Sequence, residues 1–99
     1  MKKYKLIKII PSPKKEKKYM AIFKNIETSR EKTIHFGAKG MEDYTIHKDS
    51  ERKERYLNRH RKNENWNDPI TAGSLSRWIL WNKPTIRESI NDYKKRFGF

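Results

Sequence analysis

The sequence predicts an α+β fold: a small three-stranded antiparallel meander followed by three helices packed on it. Three observations carry this. The first 37 residues hold runs of β-branched and aromatic residues punctuated by turn formers. From residue 49 onward, apolar residues recur at helical spacing behind good cap residues. A length of 99 residues supplies one core, and a split would leave halves too small to bury anything. A single domain, 1–99, is therefore expected, with the meander in 1–37 and the helical part in 49–97.

The first strand is Lys3 to Ile10, ended by Pro11-Ser12-Pro13 and a lysine cluster, so Lys14 to Lys18 form the solvated tip of a hairpin. Residues 18–25 alternate, with Tyr19, Ala21 and Phe23 on one face and Met20 and Ile22 on the other. Glu27-Thr28-Ser29 turns the chain into a third strand from about Arg30 to Phe36, in which Ile34 and Phe36 share a face. Such a meander needs a cover on one face to be stable.

Gly37 and Gly40 are read as ending the sheet, and Asp49 as capping a helix from about Ser50 to Lys62 with Glu51 in its first turn. Tyr56 and Leu57 are the convincing apolar members of that helix. Asp68-Pro69 predicts a cap and first-turn proline for a second helix, through about Trp81, with Leu75, Trp78 and Ile79 inward. Pro84 stops it. Thr85 and Glu88 have capping-box spacing, and Ile86, Ile90, Tyr93 and Phe97 make the stripe of a third helix that Gly98 terminates.

Composition narrows the function. Apolar residues make up 33% of the chain and charged residues 37%, yet twelve aromatics, Trp66, Trp78 and Trp81 among them, argue for a thin, ring-rich core. The net charge is +13, enough to draw polyanions at long range, with nucleic acid the leading partner class. The absence of cysteine excludes disulfides, thiolate nucleophiles and cysteine zinc sites and fits a reducing compartment. No apolar run is long enough to span a bilayer, and the basic N-terminal stretch lacks the apolar segment of a secretion signal, so an intracellular place is expected.

The charge is concentrated. Residues 1–24 hold nine lysines against one glutamate, and 48–62 hold seven Lys or Arg against three acids. Arg52, Arg55, Arg59 and Lys62 recur at three, four and three residues and line one helix face, a stripe that can follow phosphates. Arginine forks suit phosphate oxygens, and Lys14, Lys15, Lys17 and Lys18 of the hairpin add less directional charge, so backbone contact is expected over base reading. The plainer alternative is a solvated face with Glu51 and Arg55 as an i, i+4 pair. Tyr19, Tyr44 or Trp66 could stack on bases beside the stripe, although a thin core has first claim on such rings.

Catalytic constellations are missing. His35, His47 and His60 include no i, i+4 pair, so no metal site is expected. His47-Lys48-Asp49 loses its catalytic look once Asp49 serves as a cap, and Gly37-Ala38-Lys39-Gly40 is too short for a phosphate loop and lacks the following Ser or Thr. The acids are scattered, with Glu42-Asp43 the adjacent pair, so no metal-holding nuclease cluster forms. The expectation is a binding protein that uses no cofactor and catalyses nothing.

Phe36-Gly37-Ala38-Lys39-Gly40, Asp43-Tyr44-Thr45-Ile46-His47-Lys48-Asp49, Arg55-Tyr56 with Arg59-His60, and above all Thr71-Ala72-Gly73-Ser74-Leu75-Ser76-Arg77-Trp78-Ile79-Leu80-Trp81-Asn82-Lys83 carry a resemblance. The stretch from Phe36 to Phe97, about two thirds of the chain, resembles an uncharacterised family of small basic proteins from large double-stranded DNA viruses of eukaryotes, the giant viruses and their algal-virus relatives. The resemblance implies a viral source and assigns no activity. Two functions follow. The first is nonspecific nucleic-acid (DNA) binding, with Lys14, Lys15, Lys17, Lys18, Arg52, Arg55, Arg59 and Lys62 on phosphates. The second is a minor capsid-associated structural or assembly role in the virion, in which the basic surface meets acidic viral proteins and exposed aromatics act as anchors. Host cytoplasm or nucleus, and the virion, are the corresponding locations.

Overall fold

The computed structural model describes residues 3–99. β-propensity and turn chemistry act as the sequence anticipates: β1 (Tyr4–Pro11), β2 (Lys17–Asn25) and β3 (Glu31–Ala38) pair antiparallel in the order β1-β2-β3. The first turn closes through Ser12 N–H on the Lys18 carbonyl and Lys14 N–H on Ser12 Oγ. In the second, Asn25 Oδ1 accepts from the backbone N–H groups of Glu27 and Thr28, and Ser29 takes a left-handed conformation at φ 62°.

Register carries one feature that alternation alone hides. Leu6 faces Phe23 but Lys8 faces Ile22, so Ile7 is an extra residue in β1. The bulge switches parity: Tyr4 and Leu6 point at the helices before it, and Ile9 after it, while Ile7 is left 41% exposed. Without the switch, Ile9 would face away from the core. Gly37, read as ending the sheet, sits inside β3 at φ 80°, and the strand runs on to Ala38. A side chain there would meet Leu80 Cδ1 at 2.7 Å, so the position needs glycine on two grounds.

The helical half starts earlier than expected, with a four-residue helix α1 (Tyr44–His47) capped by Asp43. Helix α2 (Ser50–His60) is capped by Asp49, whose side chain accepts from the N–H groups of Glu51 and Arg52, as predicted, but it stops short of the expected end at Lys62, which lies in the following turn. The expectation for Asp68-Pro69 is overturned. Asp68 accepts from Ile70 N–H in a local turn, and helix α3 (Ala72–Leu75) begins three residues later behind Thr71, whose hydroxyl accepts from Ser74 N–H.

The preceding loop is tied to the helices by its carbonyls: Ser74 Oγ donates to Asn65, Trp78 Nε1 to Trp66 and the Tyr93 hydroxyl to Pro69. α3 continues as one wide π-type turn over Ser76–Leu80, closed by Trp81 N–H on the Ser76 carbonyl. Helix α4 (Ile86–Phe97) follows behind the Thr85–Glu88 pair and ends at left-handed Gly98, φ 71°, both as predicted.

The core is the contact between one sheet face and the α3–α4 pair. Ala21, Phe23 and Phe36 meet Leu75, Ile79, Leu80 and Tyr93, all buried, with Leu6, Ile9, Ile34, Ile90 and Phe97 around them. Helix α2 stands outside this layer and docks through Tyr56 and Leu57. The Cα radius of gyration of 13.3 Å matches the ~13 Å of a folded chain this long. No helix among the described residues is long and apolar enough to cross a membrane.

Candidate nucleic-acid interface

The eight predicted phosphate-contact residues separate into distinct groups. Lys14 and Lys15 are exposed at the hairpin tip, and Lys17 is half-buried at the start of β2. Lys18 is not part of a solvated tip: its ammonium pairs with the carboxylate of Asp43, and the two side chains are only 13% and 3% exposed. Its charge is therefore neutralised inside the fold. Arg52 is bound by Glu42 across 2.9 Å at the surface.

Arg55, Arg59 and Lys62 are exposed, and among the described residues none of the three has an ion-pair or hydrogen-bond partner. The Glu51–Arg55 pair that the sequence offered as the alternative is not among the ion pairs formed. Burial of Tyr56 and Leu57 turns this face outward. The result is a row of three uncompensated cations, with Arg52 tethered at its start.

Hairpin and helix meet at a cleft of about 320 Å³. Lys18 and Gly37 come from the sheet side, Tyr56, Arg59 and His60 from α2, and Leu80 and Trp81 from the end of α3, with Met41 beside them. Lys39 N–H donates to the Glu16 carbonyl and so holds the 38–41 link against the hairpin. The rings form a column: Tyr56 stacks on Trp81 at 4.2 Å and 4°, His60 on Tyr56 at 4.3 Å, and His47 tilts against Trp81 at 5.4 Å. Burial raises the Tyr56 phenol well above its usual range, so it stays a neutral ring.

Three further cations were not picked out by sequence reasoning. The Arg77 guanidinium lies 4.1 Å from the Trp78 ring centre and 5.5 Å from that of Trp66, and donates to the Trp81 carbonyl. Arg96 lies 4.0 Å from the same Trp78 ring and is held by Asp92 at 3.3 Å. Lys53 donates to the Asn82 carbonyl at 2.7 Å, above the Tyr44 ring. Burial, then the neighbouring cations, lower the pKa of both Arg77 and Lys53. Arg77 and Lys53, both half-buried, brace helices rather than face a polyanion, and Arg96 covers Trp78 from an exposed position. Arg77 has a weak signal in sequence because its segment has no cationic excess, whereas Lys53 and Arg96 lie in basic segments and only packing separates them from their neighbours.

Tyr19, Tyr44 and Trp66, the candidates for base stacking, have structural duties. Tyr19 stacks on Phe36, Tyr44 sits under Lys53, and Trp66 Nε1 donates to Glu64 at 2.8 Å. Among the described residues every aromatic ring is buried or half-buried, and no group of three or more His, Asp or Glu is placed to hold a metal.

A model of a family of unknown function, DUF5754, matches residues 7–60, more than half of the chain. The match runs from β1 through α2 and includes the hairpin lysines, Arg52, Arg55 and Arg59; of residues 36–97 it covers 36–60. No curated protein and no solved structure matches the chain.

Proposed function

We propose the function of this chain from its own surface, because it belongs to DUF5754, a family of unknown function, and membership assigns no activity. The chain is a nucleic-acid-binding protein that grips the phosphate backbone without reading sequence. The observation that carries this is the row made by Arg55 and Arg59 on α2 and Lys62 in the turn after it, exposed and without a counter-charge among the described residues on a chain of net charge +13. Lys14 and Lys15 add charge at the hairpin tip, while Lys18 and Arg52, held by Asp43 and Glu42, contribute little. Lone cations at helical spacing match phosphates and carry no base information.

The viral likeness of residues 36–97 supports use inside an infected host cell. The virion role is the weaker reading, because the exposed aromatic anchors it calls for are buried or half-buried.

The test is affinity for a 20-base-pair duplex across a salt series. Micromolar binding near physiological salt is expected, with log Kd rising by about 0.9 per neutralised phosphate for each decade of salt. Changing Arg55, Arg59 and Lys62 together to Glu should abolish binding at physiological salt without disturbing the far-ultraviolet circular dichroism, since all three are exposed. A variant that binds like the parent, with the same salt slope, removes α2 from the interface.

A further inference from the structure

We infer that the cleft between β3 and α2 takes one base of a single-stranded nucleic acid whose backbone lies along Arg55, Arg59 and Lys62, which makes the protein a binder of single strands in preference to duplex. The inference rests on the nucleic-acid reading above and deepens it.

Three features of the cleft lead to this. Its volume of about 320 Å³ suits a small flat group, and its walls are largely apolar or aromatic, with Met41, Leu80, Trp81 and Tyr56 among them. Arg59 belongs both to the cation row and to the cleft wall, so a phosphate held by Arg59 would place its attached base at the opening. Both carboxylates of the lining are paired: Asp43 accepts from Lys18, from Thr45 N–H and from the Thr45 hydroxyl, and the more exposed Glu42 accepts from Arg52. No unpaired charge inside would repel a neutral ring.

Met41 is 65% exposed on this cleft, an apolar side chain in water that a base would cover. A paired base has its faces and edges occupied within the duplex, so it can enter only after unpairing; a single strand offers its bases freely. Because Tyr56 is stacked between Trp81 and His60, the base meets the edge of that column and the Met41 side chain, apolar contacts that favour no one base and agree with binding that does not read sequence.

The experiment compares a labelled dT 12-mer with a 12-base-pair duplex on the full chain, in the parent and in Ala38→Trp. Ala38 is exposed and lines the cleft at the end of β3, so the larger ring fills the opening without entering the core. The parent should bind the single strand at least tenfold more tightly than the duplex. Ala38→Trp should lose about that factor on the single strand and keep its duplex affinity. Independently of any variant, a 5-iodouracil 12-mer should photocrosslink to Met41, Tyr56, His60 or Trp81.

Equal binding of both forms, unchanged in Ala38→Trp and with crosslinks elsewhere, overturns the cleft assignment and leaves the backbone reading standing. Thymidine monophosphate competing at the same concentration as the 12-mer also overturns it, because the cleft would then serve free nucleotides. Binding of neither nucleic acid removes both readings.

Discussion

Asp43 joins parts of the chain that lie far apart in sequence. One of its oxygens caps α1 through the Thr45 N–H, and the other holds the Lys18 ammonium from β2, with the side chain only 3% exposed. Removing it leaves a half-buried cation without a partner, a larger loss than a surface pair. Asp43→Ala should lower stability by about 3 kcal/mol, read by urea unfolding. Adding Lys18→Met to that variant should recover part of the loss, because no stranded charge remains.

Tyr56 and Tyr93 make a pH prediction. Burial raises both phenols above the usual value of 10.0, with Glu64 adding to the effect at Tyr56 and Asp68 at Tyr93. A folded-state pKa above the unfolded one contributes stability that is fully present below about pH 10 and is lost as pH rises beyond it. Melting temperatures should therefore fall above pH 10, and two of the five tyrosines should ionise only as the protein unfolds when absorbance near 295 nm is followed.

At the scale of elements, the start of α3 discriminates between two caps. Thr71 accepts from Ser74 N–H, whereas Asp68 serves a turn before the helix. Thr71→Ala should cost about 1 kcal/mol, and Asp68→Ala less, in the same unfolding assay. Equal losses would mean that the helix start is shared between them. In β3, Gly37→Ala forces a side chain into a left-handed backbone and against Leu80, so a loss of about 1–3 kcal/mol is expected.

The three strands, the Asp49 cap, the Thr85–Glu88 pair and the Gly98 stop were all legible in sequence, because each depends on residues within one turn or hairpin. The bulge at Ile7 and the wide turn at Ser76–Leu80 were not. Both are set by which side chains must reach the shared core: Ile9 in the first case, Leu75, Ile79 and Leu80 together in the second.

For the whole molecule, +13 on a chain of 99 residues is a self-repelling charge that added salt screens. The melting temperature should rise between 20 and 500 mM NaCl, while nucleic-acid affinity falls over the same range. Among the described residues few ion pairs offset the excess, and most lie at the surface, so screening should relieve more repulsion than it removes attraction.

Sequence alone was enough for the α+β class, the strand order and the inward faces of β2 and β3, and for the exposure of Arg55 and Arg59 on α2. All of these are short-range consequences of side-chain period, caps and turn residues. It could not assign partners across distance. That Lys18 and Arg52 are held by Asp43 and Glu42, that Arg77 and Arg96 brace Trp78, and that Arg59 borders a ring-lined cleft all depend on how the hairpin, α2 and α3 come together. Eight similar cations in the chain thus become unequal in the fold, because burial and a counter-charge are properties of the packed molecule and leave no mark on the residue type.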